Sequence, residues 1–196
     1  SAASYWYALA VLAERTELEI IGLQQGSFQG DSVLPGIFLP LGVETIFKKG
    51  GVRLKSIPRT LERFEFDFSD NPDLVQTMVV LCGLRNIPFN MSGTRTLRIK
   101  ETDRILALQV EMRKLGILLE ADHGGAWLSW DGKKTTDIPR KKQIKTYQDH
   151  RMAMAFAPAA IIHPGLIIED PEVVHKSYPG FWKDLESTGF RVRELD

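Results

Sequence analysis

The stretch "DLVQTMVVLCGL", residues 73–84, holds one charge, at its first position, and two uncharged polar side chains, Gln76 and Thr77. Wound as a helix, it is apolar on nearly every side. Such a helix has to be buried all round rather than along one stripe. Two other stretches read alike: "AASYWYALAVLA" (2–13) and "HRMAMAFAPAAII" (150–162). Each is followed by a short strand-like run, "LEIIGL" (18–23), "PFNMSG" (88–93) and "LIIED" (166–170). A second, more amphipathic helix comes next and ends at a glycine, Gly42, Gly116 or Gly189. These three stand 74 and 73 residues apart (116 − 42 and 189 − 116). Each suits the position just past a helix, where the chain turns left-handed. A strand follows every time: "VETIF", "ILLEA", "FRVRE". After the first two, a Gly-Gly turn leads into a return strand, in "KKGGVRLK" and "DHGGAWLSW". Paired glycines between strand-like runs predict hairpins.

The repeating unit is therefore helix, strand, helix, strand, strand, with a lead strand in front. "RFEFDF" (63–68) and "QIKTY" (143–147) supply that lead strand for the second and third units. The expected fold is an α/β lobe with threefold pseudosymmetry, three βαβαββ repeats at about 1–58, 59–132 and 133–196. The apolar helices lie inside and the sheets around them, one lobe of an inside-out α/β barrel. The first unit lacks its lead strand and the third its last strand. The expectation is that the chain is cut, or that its ends are completed by something outside it.

Composition narrows the function. The 196 residues are 43% hydrophobic and 26% charged, with a formal net charge of zero. That balance gives no electrostatic case for nucleic acid or an anionic membrane as partner, although local basic clusters can still bind small anions. The single cysteine, Cys82, rules out an intrachain disulfide and fits a reducing compartment. It sits in an apolar run and reads as a core residue. No apolar run approaches the roughly 18 residues of a membrane span. The chain opens on a helix-like run without Met, so its natural N-terminus is expected to lie elsewhere. Metal-ligand spacings, a P-loop and a GxGxxG are absent, so no cofactor is expected.

The charges that remain are oddly placed. "LRIKETDR" (97–104) leads into the amphipathic helix "ILALQVEMRKLG" with Arg98, Lys100 and Arg104 at its start. A helix N-terminus already carries about half a positive elementary charge, so cations there call for a compensating anion. Taken alone, "KETDR" reads as a solvated face with local Lys–Glu–Arg pairing. Glu101 and Asp103 simply suit the dipole, and Asp73 after a proline is an ordinary first-turn residue with Asn71 or Ser69 as cap. His150 and Arg151 are harder to dismiss. They follow the N-cap candidate Asp149 and open a very apolar helix, and such local rule-breaking tends to mark sites. Lys176, in "DPEVVHKSYPGFW", sits at another strand-to-helix junction. Four helix starts thus carry unusual groups, and in a threefold arrangement they can converge on one edge.

"LRIKETDR" (97–104) and "TYQDHRMAMAFA" (146–157) closely resemble the signatures of the 5-enolpyruvylshikimate-3-phosphate synthase family. "NPDL" (71–74) and "DPEVVHKSYPGFW" (170–182) match its other landmarks in order. The resemblance covers essentially the whole chain. It implies two lobes of threefold βαβαββ architecture with the active site between them, of which this chain resembles the C-terminal lobe. The other lobe, and the N-terminal segment that completes this one, would be absent. It also implies a cytoplasmic enzyme of aromatic amino acid biosynthesis that moves the enolpyruvyl group of phosphoenolpyruvate onto the 5-hydroxyl of shikimate 3-phosphate and releases phosphate. Both substrates are polyanions, so the resemblance offers the ligands as the missing counter-charge. Carried over by motif, Asp73 would hydrogen-bond the sugar hydroxyls and help accept the attacking proton, and Glu101 would handle the proton at the methylene carbon. Arg104 and Arg151 would clamp the phosphoenolpyruvate carboxylate. Lys176 would meet its phosphate, Lys100 the shikimate-side ligand and the intermediate, and His150 would orient Glu101 or the adjacent strand end. Thr96 stands where many members carry Asn, which puts its ligand contact in question. Two alternatives stand beside this reading: an enolpyruvyl transferase for another substrate, and a non-catalytic anion-binding module.

Overall fold

In the computed structural model, which describes residues 2–13, 17–21, 32–100 and 102–195, the apolar stretches form the interior. The chain runs α1 (Ala3–Leu12), β1 (Glu17–Ile21), α2 (Leu34–Phe38), β2 (Val43–Lys48), β3 (Gly51–Ser56) and β4 (Phe64–Asp67). A 3₁₀ turn (Pro72–Leu74) leads into α3 (Val75–Leu84), followed by β5 (Phe89–Ser92), a second 3₁₀ turn (Arg95–Ile99) and α4 (Arg104–Arg113). Then come β6 (Glu120–Ala121), β7 (Trp127–Trp130), β8 (Gln143–Ile144) and α5 (His150–Phe156), continued by 3₁₀ turns (Ala157–Ile161). The chain closes with β9 (Ile167–Ile168), a 3₁₀ stretch (Pro171–Lys176) and α6 (Phe181–Ser187).

The helix α3 is buried at all ten positions. It can be, because it packs between α1 and α5, which are themselves almost wholly buried. Met78, Val79 and Cys82 have no exposure at all. Burial pushes the Cys82 thiol well above its usual range, so it behaves as a small apolar side chain. Three sheets surround the helices, one antiparallel, one mixed and one parallel, in strand orders β1-β3-β2, β4-β5-β7-β6 and β8-β9. The hairpins expected at Gly50-Gly51 and Gly124-Gly125 are both present, pairing β2 with β3 and β6 with β7. β4 runs parallel to β5, with Phe64 beside Phe89, and β8 runs parallel to β9. A smaller aromatic cluster fixes the C-terminal part: Phe181 of α6 meets Tyr5 and Trp6 of α1 at ring-centroid distances of 6.2 and 5.8 Å.

The differences from expectation have local causes. "FRVRE" forms no strand; no described neighbour offers it a hydrogen-bonding edge. "ILLEA" pairs only over Glu120–Ala121, although Ile117 and Leu119 face the core and Leu118 faces outward as in a strand. The helix read over 150–162 stops being α-helical at Phe156, where Pro158 removes a donor and tightens the chain into 3₁₀ turns. The helix expected around Lys176 is split by Pro179-Gly180 into a 3₁₀ stretch and α6. Gly22 and Leu23, at the end of the first strand-like run, lie outside the described residues. No described helix is long and apolar enough to cross a membrane.

Candidate active site

Three of the four unusual helix starts meet. Asp149 is the N-cap of α5, and its Oδ1 accepts from the Arg151 backbone N–H at 2.9 Å, the bond expected of a capping carboxylate. Its other oxygen, Oδ2, accepts from Arg104 Nε at 2.7 Å and from Gln76 Nε2 at 3.3 Å. Asp149 thus ties together the starts of α3, α4 and α5. The Arg104–Asp149 pair is nearly out of water, with side chains 6% and 1% exposed. Beside it, Asp73 from the turn before α3 accepts from Arg151 Nη2 at 2.8 Å, and its other oxygen lies 3.6 Å from Arg104 Nη1. Asp73 is 46% exposed and Arg151 18%, so this part of the cluster opens to solvent. The Arg151 Nε is buried without a hydrogen-bond partner among the described residues.

Tyr5 of α1 lies against Arg151. Burial raises its phenol to about 12, against the opposing pull of the Arg151 guanidinium. Lys176 joins the edge of the cluster, donating from Nζ to the Gln148 carbonyl at 2.6 Å. Gln148 immediately precedes Asp149, so the fourth helix start is attached to the third through the backbone. His150 is half-buried in the first turn of α5. Lys100 and Thr96 are exposed on the 3₁₀ turn before α4, and no described contact brings them to the carboxylate–arginine cluster. Glu101 lies outside the described residues.

The cations at the start of α4 find part of their compensation within the chain. Arg98 donates to Asp103 Oδ2 at 3.1 Å and to the Asp122 carbonyl at 3.2 Å. Asp103 is also the N-cap of α4, accepting from the backbone N–H groups of Ile105 and Leu106. Arg104 has Asp149 and Asp73. Lys100 has no described anionic partner. An anion arriving here thus meets Arg104 and Arg151 with Asp73 already between them, and has to share their N–H groups with it or displace it.

Sequence reading took Asp149 as a cap only and did not single out Gln76 or Tyr5. The spacing held a signal for Gln76, which sits three residues after Asp73 and so on the same helix face. Nothing in the sequence pointed to Tyr5, whose contact depends on how α1 packs. A hollow of about 480 Å³, lined by Arg140, Lys141, Lys142 and His163 among others, lies past the other end of α5. None of the clustered residues lines it.

The family model described as EPSP synthase (3-phosphoshikimate 1-carboxyvinyltransferase) matches residues 1–185. The chain belongs to the EPSP synthase family. A 3-phosphoshikimate 1-carboxyvinyltransferase of Bacteroides fragilis is 51% identical over 193 residues, covering 98% of this chain and 47% of that protein. One from Idiomarina loihiensis is 34% identical over 185 residues, covering 94% of this chain and 42% of that protein. The solved EPSP synthase of Acinetobacter baumannii superposes with a TM-score of 0.67 at 18% identity, over 96% of this chain and 45% of that one. At that identity the likeness speaks for the α/β fold alone. The chain spans about half the length of the curated EPSP synthase relatives it matches.

Proposed function

We propose that this chain supplies half of the active site of an enzyme that transfers the enolpyruvyl group of phosphoenolpyruvate to the 5-hydroxyl of shikimate 3-phosphate. A second lobe supplies the other half, and the setting is the cytoplasm. The observation that carries the reading is Asp73 held between Arg104 and Arg151 where three helix starts meet, in a chain of this family. Two planar guanidinium groups side by side suit a carboxylate ligand. When the phosphoenolpyruvate carboxylate takes up their N–H groups, Asp73 is released toward the sugar hydroxyl. The 5-oxygen then bonds to C2 of phosphoenolpyruvate as its proton passes to Asp73, and C3 takes a proton from Glu101. From the tetrahedral intermediate the C–O bond to phosphate breaks, with Lys176 beside the departing group. Glu101 takes back a C3 proton and the double bond re-forms. Lys100 meets the shikimate-side ligand, with Thr96 beside it, and His150 steadies the Glu101 end. The reaction so written uses no cofactor.

The three sheets support a finer reading of the fold. In the order lead, first, return and second strand, β4-β5-β7-β6 is a whole unit. β1-β3-β2 is the same order without the lead, and β8-β9 is its first two strands. We infer three βαβαββ repeats, at about 1–58, 59–132 and 133–196.

The test is phosphate release by the complete two-lobe protein with phosphoenolpyruvate and either shikimate 3-phosphate or a UDP-sugar as acceptor. Shikimate 3-phosphate should be turned over and the UDP-sugar should not. Asp73→Asn and Glu101→Gln should each lower turnover by about 10²–10⁴-fold. Turnover of the UDP-sugar would reassign the substrate. No turnover with either would favour an anion-binding module.

A further inference from the structure

The turn that delivers Asp149 and Arg151 to the site is built against local preference. Tyr147 and Gln148 have φ of 54° and 57°, the left-handed region that disfavours side chains with a Cβ. Neither is Gly, Asn or Asp. Such conformations persist only where the surroundings over-determine them. What surrounds this turn is Glu111, on α4. Glu111 is completely buried, and both of its oxygens are engaged. Oε1 accepts from the Tyr147 hydroxyl at 2.7 Å. Oε2 accepts from the Lys145 backbone N–H at 3.2 Å and from Lys114 Nζ at 2.6 Å. Lys114 Nζ also donates to the Gln143 carbonyl at 2.8 Å.

The Glu111 carboxylate is out of water while Lys114 is 27% exposed, and taking a charge out of water for such a pair adds little net stability over apolar side chains of the same size. Its use here calls for another reason, and the geometry points to register. Arg104 and Glu111 are seven residues apart, on one face of α4. That face grips the same segment twice, Arg104 at Asp149 and Glu111 at Tyr147 and Lys145. Of the two left-handed residues, Tyr147 is itself held and Gln148 lies between the grips. The far side of the turn is held too, by Lys176 on the Gln148 carbonyl.

We propose that Glu111 is a positioning residue: through Tyr147 it holds the left-handed turn that sets where Asp149 and Arg151 meet Arg104 and Asp73. Its service to enolpyruvyl transfer rests on the function proposed above. Its grip on the turn does not.

The experiment uses two variants of this 196-residue chain, Tyr147→Phe and Glu111→Gln. NMR follows hydrogen exchange at Arg104 Nε–H, the donor to Asp149, and at the amides of Val79 and Val80 in α3. In Tyr147→Phe, which keeps the ring, the Arg104 exchange should accelerate roughly tenfold or more while the α3 amides keep their protection, as local opening requires. Unchanged Arg104 exchange, or equal acceleration in α3, would overturn the proposal. If Glu111→Gln does not fold, Tyr147→Phe alone decides. In the complete enzyme, Tyr147→Phe should raise the KM for phosphoenolpyruvate by more than it lowers kcat. A KM that stays put would also sink the positioning role. If the parent enzyme transfers no enolpyruvyl group, the proposed function falls, and the exchange measurement still decides whether Glu111 grips the turn.

Discussion

Asp149 and Asp73 are both carboxylates beside Arg104, and their surroundings give them opposite uses. Asp149 and its arginine are nearly out of water. Removing one partner of a buried pair leaves the other charge stranded, which typically costs about 3–5 kcal/mol. Asp149→Asn should therefore destabilise the fold by about that much in urea unfolding. Asp73 is half exposed, where an ion pair is worth about 1 kcal/mol or less. Asp73→Asn should leave the urea midpoint almost unchanged while suppressing turnover of the complete enzyme. A large loss of stability from Asp73→Asn would recast it as structural. Arg104→Lys and Arg151→Lys test the ligand side: lysine keeps the charge and loses the planar fork, so the phosphoenolpyruvate constant should rise in both. Tyr5 adds a pH dependence. Its phenol is raised to about 12 by burial, whereas an unfolded tyrosine ionises near pH 10. Between those values the unfolded chain has released a proton that the folded chain still holds. Stability should thus fall as pH rises from about 10 to 12. Tyr5→Phe should show a shallower fall in unfolding midpoint over the same range.

At the scale of elements, the loop that launches the 3₁₀ turn before α4 depends on one glycine. Gly93 has φ +71°, and a Cβ there would come within 2.3 Å of the Ser69 backbone nitrogen and 2.4 Å of Asp67 Oδ1. Gly93→Ala should cost more than about 1 kcal/mol in unfolding, the level exceeded when alanine is forced to positive φ. A neutral effect would mean that the 67–69 loop yields freely. Which elements were legible beforehand follows from the same local physics. α1, α3 and the start of α5 could be read because a helix apolar on all sides has one place to go. The hairpins could be read from Gly-Gly. "FRVRE" carries the alternation of a strand, but a strand also needs an edge, which its own residues do not encode. The 3₁₀ continuation of α5 was written in Pro158 and passed over. At the site, His150 and Arg151 stood out because they break the pattern of the helix they open, and Arg104 because it adds a cation to a helix start, whereas Asp73 reads by itself as an ordinary first-turn residue. Asp149 was visible as a cap, whereas its bond to Arg104, 45 residues earlier, is a product of tertiary packing. The Tyr147-Gln148 turn left no mark, since neither residue type announces positive φ.

For the whole molecule, the decisive feature is that the arginine–carboxylate cluster is half open. Ile99 and Leu106, on either side of the start of α4, are 82% and 55% exposed, apolar surface that the proposed second lobe would cover. In open water a contacting charge pair is worth about 1 kcal/mol, against about 4 at an effective dielectric near 20. In this chain, moreover, Asp73 already competes for both guanidinium groups. The 196-residue chain should accordingly bind phosphoenolpyruvate only in the millimolar range, about 4 kcal/mol in all, and form no product. Binding should weaken as salt shortens the screening distance to about 8 Å at 0.15 M. Asp73→Asn removes the competing charge, so it should tighten the carboxylate's hold on the isolated chain even as it suppresses turnover by the complete enzyme. NMR titration followed at Arg104, Arg151, Lys100 and Lys176 measures the affinity, and a phosphate-release assay covers turnover. Supplying the proposed second lobe in trans should restore some product if the halves dock, because closure excludes water and brings further cations over the ligands. Product without the second lobe would mean that the chain holds more than half of the site, and micromolar affinity in the isolated chain or weaker binding by Asp73→Asn would mean that Asp73 does not stand between the arginines and their ligand in the way the ion pairs suggest.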